Sequence, residues 1–228
     1  MLLQEDVMVV EDALQDERLH DNPLVTGKPH IRFYAGCPLR GPGGVNVGTL
    51  CILSPEPRAF DADDRATLRE LAAFQVATCD EMTQINNRRG FMTLGQLVLN
   101  DCLLKQRPAC LTFLDLDKCK LINDTLGHRE GDRALMDFAD TMKVSFRNWD
   151  LFARLGNGEF VVRFNGLCQT DAEALLAEFS RSLQQQTAGL NRRYALRFSS
   201  GVVEFDHARS QSLKQLLEAS DARMYAAK

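Results

Sequence analysis

Residues 111–132, LTFLDLDKCKLINDTLGHREGD, constrain the fold of this chain more than any other stretch. Leu111 to Leu114 form an apolar run of β character that ends in two carboxylates, Asp115 and Asp117, one residue apart. Alternation along a strand sets both on the same side of the backbone. Asn123 and Asp132 then flank Gly127 and Gly131. Beyond them Leu135, Phe138, Ala139, Met142 and Phe146 recur at helical spacing, which predicts a helix with one core-facing stripe. Paired carboxylates at a strand end suit a hard cation such as Mg²⁺, with phosphate oxygens filling its remaining positions. An amide and a carboxylate just beyond suit the hydrogen-bonding edge of a base.

The rest of the chain builds an α+β pattern around that segment. Residues 151–155 and 160–164 are two short apolar strands about Gly156-Asn157-Gly158, and Asn-Gly is the strongest short signal for a tight type I′ hairpin. Residues 172–183 carry Leu175, Leu176, Phe179 and Leu183 on one helical face. Tyr194, Leu196, Phe198 and Val202 alternate as a long strand, and residues 212–228 form a closing helix. The order β-α-β-β-α-β-α, with a hairpin in its middle, implies a mainly antiparallel central sheet flanked by helices. Upstream, Asp61, Asp63 and Asp64 give a helix an acidic first turn, and its apolar spacing continues to about Thr83. A second helix runs from Asn87 to about Gln106, before Pro108. Residues 7–10, 31–39 and 45–53 read as strands, the last two joined by a loop containing Pro42, Gly43 and Gly44.

Composition removes several classes of function. A chain of 228 residues, 45% hydrophobic and 25% charged, is an ordinary globular protein of one large domain or two small ones. A net charge of −4 gives no basic footprint for long nucleic acid. No apolar run approaches the ~20 residues of a membrane helix. Residues 1–12 lack the basic stretch of a secretory signal. Seven cysteines, an odd number without a C-x-x-C pair, fit reduced thiols in a cytoplasm.

The spacing D-x-D-x-x-K-x-x-N-D…G-H…G-D, carried by Asp115, Asp117, Lys120, Asn123, Asp124, Gly127, His128, Gly131 and Asp132, resembles the first signature of the GGDEF (diguanylate cyclase) family. Residues 80–91, DEMTQINNRRGF, resemble that family's opening D-x-L-T-G-L-x-N-R-R-x-F, with Met82, Gln84 and Ile85 in place of Leu, Gly and Leu. RLGNGEF stands where the family carries R-Y-G-G-D/E-E-F, and the chain stops inside its Y-x-A-K motif, at Lys228. NPLVTGKPHIRFYAGCPL, followed by VGTLCIL, resembles the later half of a GAF domain, a small-molecule sensor fold. The resemblance implies a partial GAF-like α/β module with a linker helix over residues 1–78. A GGDEF domain, an α+β nucleotidyl-cyclase-like fold, follows over 79–228. Helices joining such modules commonly pair between subunits, so a homodimer is implied.

Residue by residue, the resemblance implies that Asp115, the Leu116 carbonyl and Asp117 hold Mg²⁺. The backbone around Lys118, Cys119 and Lys120, with Gly156 and Lys228, surrounds phosphates. Asn123 and Asp132 correspond to guanine readers; the alternative is that each caps a helix start. Arg147 and Asp150, in R-N-W-D, coincide with the family's inhibitory site, where Arg and Asp bind the product cyclic-di-GMP. Otherwise R-x-x-D is a surface ion pair or a helix end, and Trp149 is a stacking surface or core. The hairpin departs from the family. Its third position, a shared ligand of both metals that helps to deprotonate the 3′-hydroxyl, is Gly158 here. Asn157 replaces a glycine that leaves room for the triphosphate. Losing a mere partner of a metal ligand costs ~10–100-fold, so Mg²⁺ binding is expected to be weak or lost. Glu159 is expected to face the opposite side and is only a residual catalytic candidate. The expectation is a cyclic-di-GMP signalling protein that binds cyclic-di-GMP, and secondarily GTP, with little or no cyclase activity. The alternatives are an active Mg²⁺-dependent homodimeric cyclase joining two GTP molecules, and a dimerisation scaffold without nucleotide.

Overall fold

The computed structural model describes residues 7–41, 45–190, 192–206 and 211–228. The loop expected at Pro42, Gly43 and Gly44, and the first six residues of the N-terminal reading, lie outside the described residues. The chain divides into two compact units, Met1–Ala77 and Thr78–Lys228. No helix among the described residues is long and apolar enough to cross a membrane. All the cysteines are free thiols, and burial pushes that of Cys110 up to about 12.

In the first unit, β1 (Met8–Val10), β2 (Phe33–Arg40) and β3 (Asn46–Ser54) form an antiparallel sheet in that order. A short helix, α1 (Pro23–Thr26), starts at Pro23 and is capped by the Asn22 side chain, which accepts from the Leu24 N–H. The helix α2 (Ala62–Thr78) lays Leu68 and Ala72 into a core with Phe33, Ala35 and Phe60. It stops at Thr78 instead of running to Thr83. The Asp80 carboxylate accepts from the Thr83 N–H at 2.9 Å and its hydroxyl at 2.7 Å, and Gln84 takes a left-handed φ of 56°, so the chain turns.

The second unit is a five-stranded sheet in the order β4-β6-β7-β5-β8. Its strands are β4 (Asn86–Asn87), β5 (Ala109–Leu116), β6 (Leu151–Arg154), β7 (Glu159–Asn165) and β8 (Phe198–Glu204). Among the described residues only the β4–β6 pair is parallel. β5 lies in the middle and is buried everywhere except at Asp115, so its sequence is an unbroken apolar run. On one face, α5 (His128–Ser145) and α6 (Gln169–Gly189) bring Phe138, Phe146 and Phe179 against Leu114, Phe160 and Phe164. The Phe138 ring lies 4.6 Å from that of Phe160 and meets Phe179 edge-on at 5.2 Å. On the other face, α3 (Arg88–Lys105) and α7 (Leu213–Ala227) pack Phe91, Leu99, Leu213 and Met224 against Leu111, Phe113, Val161 and Val203. The helix α4 (Cys119–Leu126) follows β5 directly.

The strand expected from Tyr194 begins only at Phe198. Tyr194 is held by a hydrogen bond from its hydroxyl to the Glu130 carbonyl, and Leu196 is fully buried; their alternation reflects core packing, not ladder pairing. α7 approaches β8 most closely at Gly201, where a Cβ would lie 3.0 Å from the Arg223 carbonyl carbon and nearer still to Ser220 O and Met224 N. Its start is fixed by a reciprocal cap: Ser212 Oγ accepts from Gln215 N–H at 3.3 Å and Gln215 Oε1 accepts from Ser212 N–H at 2.8 Å. Ser212→Ala is expected to lower stability by about 1 kcal/mol. The check is urea unfolding; an unshifted midpoint would show that the cap contributes nothing.

Candidate functional site

β5 ends by presenting Asp115, whose carboxylate is ion-paired to the ammonium of Lys228 at the end of α7. That hydrogen bond holds the Lys228 pKa above the ordinary lysine range. The Leu116 side chain is buried, and its N–H donates to Gly158 O at 2.8 Å. Asp117 accepts from Ser199 Oγ at 2.8 Å, while its own N–H donates to Arg197 O at 2.9 Å. Lys118 takes a left-handed φ of 59° and starts α4 without a side-chain cap. The first amides of α4, at Cys119 and Lys120, therefore keep the anion-binding character of an open helix start.

Asn123 lies inside α4 and Asp132 inside α5, so neither caps a helix. Both are half-buried, and among the described residues neither side chain has a hydrogen-bond partner. Gly131 stands under the Asn123 carboxamide, where any side chain would collide with it. Asp115 and Asp132 both lie near enough to Cys119 to raise its thiol pKa, although burial is the larger cause. The Asn123 amide and the Asp132 carboxylate are thus available to a ligand.

The hairpin after β6 is not the tight type I′ turn. That turn needs φ > 0 at both central residues, and neither Asn157 nor Gly158 has a positive φ. The ladder closes at the bond from Leu155 N–H to Glu159 O, and the carbonyls between are all taken from outside the turn. Gly156 O accepts from Arg154 Nε at 3.0 Å, Asn157 O from Cys119 Sγ at 3.3 Å, and Gly158 O from Leu116 N–H. The turn is therefore folded onto the β5–α4 junction instead of following strand twist. Glu159 opens β7. It pairs directly with Asp115 across β5–β7, which puts the two Cβ atoms on the same face of the sheet. Its side chain curls back over Gly156, with Oε2 2.7 Å from where a Cβ on Gly156 would be.

Arg147 and Asp150 form a closed pair. Arg147 Nε donates to Asp150 Oδ2 at 2.8 Å and a terminal nitrogen donates to Oδ1 at 2.6 Å. The carboxylate, 0% exposed, also accepts from the backbone N–H groups of Arg147 and Asn165 at 3.2 and 3.1 Å. The Asp150 hydrogen bond raises the Arg147 pKa further. The guanidinium lies 5.4 Å from the Trp149 ring centroid, and Trp149 is 63% exposed, so it is not core.

The family model of the diguanylate cyclase GGDEF domain matches residues 77–228. The chain belongs to the diguanylate cyclase GGDEF family. A GAF domain model matches residues 1–79 ahead of it. A cyclic di-GMP phosphodiesterase of Pseudomonas aeruginosa is 33% identical over 160 residues, covering 66% of this chain and 27% of that protein. Diguanylate cyclase DgcS of Shewanella oneidensis is 32% identical over 180 residues, covering 79% of this chain and 59% of the relative. The chain thus spans less than two thirds of the length of either relative. The crystal structure of the coiled coil and GGDEF domain of DgcB from Caulobacter crescentus, in complex with c-di-GMP, is similar over 72% of this chain and 90% of that one. Its TM-score is 0.63 at 26% identity.

The Mg²⁺ implied by the GGDEF resemblance meets an incomplete donor set in this domain. Asp115 and Asp117 offer hard oxygens, but Lys228 neutralises the first and Ser199 occupies the second. Among the described residues no group of three or more His, Cys, Asp or Glu side chains could hold a metal ion. The place of the missing carboxylate is nonetheless open. A Cβ on Gly158 would stand 3.8 Å from Asp115 Oδ1 and 3.6 Å from Cys119 Cβ, both ordinary contact distances.

Sequence reading of the GGDEF domain missed Asn165, at the end of β7. Its carbonyl accepts from Arg147 at 2.9 Å, its N–H donates to Asp150, its amide nitrogen donates to Trp149 O, and its Oδ1 accepts from Arg163. Arg163 is itself fully buried, with Val98 O and Cys102 Sγ as its other acceptors at 3.2 and 2.9 Å. A charged residue in an otherwise apolar strand, FVVRFN, was the only available signal.

Proposed function

We propose that this GGDEF-family protein binds cyclic-di-GMP at Arg147 and Asp150 and has little or no cyclase turnover. The observation that carries the second half is Gly158: the hairpin brings no carboxylate to Asp115 at its third position. Support for the first half is the Arg147 guanidinium, a planar fork beside the exposed Trp149 ring. Such a fork suits phosphate and the Hoogsteen edge of guanine, and the indole offers a stacking surface. Binding would exchange the Arg147–Asp150 pair for contacts to the ligand. GTP would use Asn123 and Asp132 for its base and the open start of α4, with Lys228, for its phosphates. The working unit in this reading is a homodimer.

The test is calorimetric titration with cyclic-di-GMP beside chromatographic assay of GTP with Mg²⁺ and with Mn²⁺. Micromolar binding is expected, weakened at least ~100-fold by Arg147→Ala because that change removes the planar fork that would hold the phosphate and the guanine edge. Binding that survives Arg147→Ala, or is absent from the unaltered chain, would sink the receptor reading; complete silence to both nucleotides favours a dimerisation scaffold. A second reading, a working cyclase, is favoured by Glu159, which shares a sheet face with Asp115. Sustained cyclic-di-GMP formation in the same assay would establish it.

A further inference from the structure

A groove of about 580 Å³ runs between α4 and the segment leading into β8. Leu121, Ile122 and Thr125 face it. With ~3.6 residues per turn, Asn123 projects from a different side of α4, toward Gly131, so the groove lies apart from the Asn123–Asp132 pair and shares only Asp117 and Lys118 with the cleft described above. The apolar wall includes Leu121, 53% exposed, and the Tyr194 ring, held in place by the bond from its hydroxyl to Glu130 O at 3.2 Å. The rim carries Lys118, Arg193 and Arg197, all exposed and, among the described residues, without an ion pair. The one carboxylate in the lining, Asp117, is engaged by Ser199. The described lining thus holds three cations against one carboxylate, in a chain of net charge −4. Lys118 also holds its left-handed backbone here, and strained residues gather where ligands are clamped.

We propose that this groove is a second nucleotide site that takes a nucleoside di- or triphosphate. The base lies along Leu121 and Tyr194, where stacking on an aromatic ring is insensitive to base identity. The phosphates meet Arg193, Arg197 and Lys118, since guanidinium forks bind phosphate oxygens in pairs. A volume of this size holds a small ligand. The proposal does not depend on cyclic-di-GMP binding at Arg147.

ATP is the discriminating ligand, because it has the phosphates without the guanine edge that Asn123 and Asp132 are suited to read. In metal-free calorimetry, ATP is expected to bind more tightly than AMP, and AMP more tightly than adenosine. The double change Arg193→Ala with Arg197→Ala weakens ATP at least ~10-fold. Thr125→Glu, which adds a carboxylate to the exposed helix wall, has the same effect, while Asp132→Ala and Arg147→Ala do not change ATP affinity. Equal ATP affinity in the double variant, loss of binding in Asp132→Ala, or no ATP binding to the unaltered chain would overturn the site. Tripolyphosphate binding as tightly as ATP would overturn the base contact. Displacement of ATP by a poly-glutamate peptide of matched charge would make an acidic peptide the occupant and overturn the nucleotide assignment.

Discussion

Replacing Asn157 by Gly and Gly158 by Asp together is expected to raise conversion of GTP to cyclic-di-GMP by at least ~10–100-fold, the range for restoring one element of a metal site. The backbone already accepts the change. Gly158 has no positive φ, and a side chain there starts 3.8 Å from Asp115 Oδ1 without entering any neighbour. A carboxylate from that point reaches the space between Asp115 and the start of α4, where Mg²⁺ and phosphates would meet. The new negative charge also competes for Lys228, which now neutralises Asp115. Product formation measured by chromatography in the double variant, with Asp115→Ala added as a control that abolishes the gain, is the check. Unchanged turnover would mean that the hairpin is not what limits catalysis.

The second large effect concerns stability. Gly201→Ala is expected to cost about 3 kcal/mol, the upper end for overpacking, because the new methyl would meet backbone rather than a side chain that could rotate away. Ser220 O and Met224 N belong to α7 itself, so the helix has to lift from β8 along its length. For a chain of this size the melting temperature should fall by roughly 6–12 °C. A fall of less than about 2 °C would show that α7 is free to shift on the sheet at little cost.

The fold was legible where a single periodicity governs a whole element. β5 reads as an apolar run because both its faces are covered, and α5 reads as a helix because Leu135, Phe138, Ala139 and Met142 all enter one core. Periodicity misled where side-chain burial and backbone pairing part company, as at Tyr194 and Leu196. The end of α2 was hidden because Asp80 stops it by a local side-chain bond, with no proline or glycine to announce it. At the site, the spacing of Asp115, Asn123, Asp132 and the R-N-W-D turn was readable, since those residues lie close together in sequence. Register was not. That Glu159 faces Asp115 depends on a pairing 44 residues apart along the chain, and strand alternation alone gives relative, not absolute, facing. Asn165 was invisible for the same reason: its importance lies in partners brought to it by β7 and by the turn before β6.

The single indole of this chain stands on the turn that holds Arg147. Trp149 is therefore a built-in optical reporter: excitation near the red edge of protein absorbance selects it over the tyrosines, and all the emission comes from one address. Because the ring is largely solvent-exposed and a guanidinium lies against it, any molecule that stacks there, or draws Arg147 away, changes the polarity around the fluorophore directly. Occupancy of that turn can be followed in the unlabelled protein, free of signal from events elsewhere in the sheet.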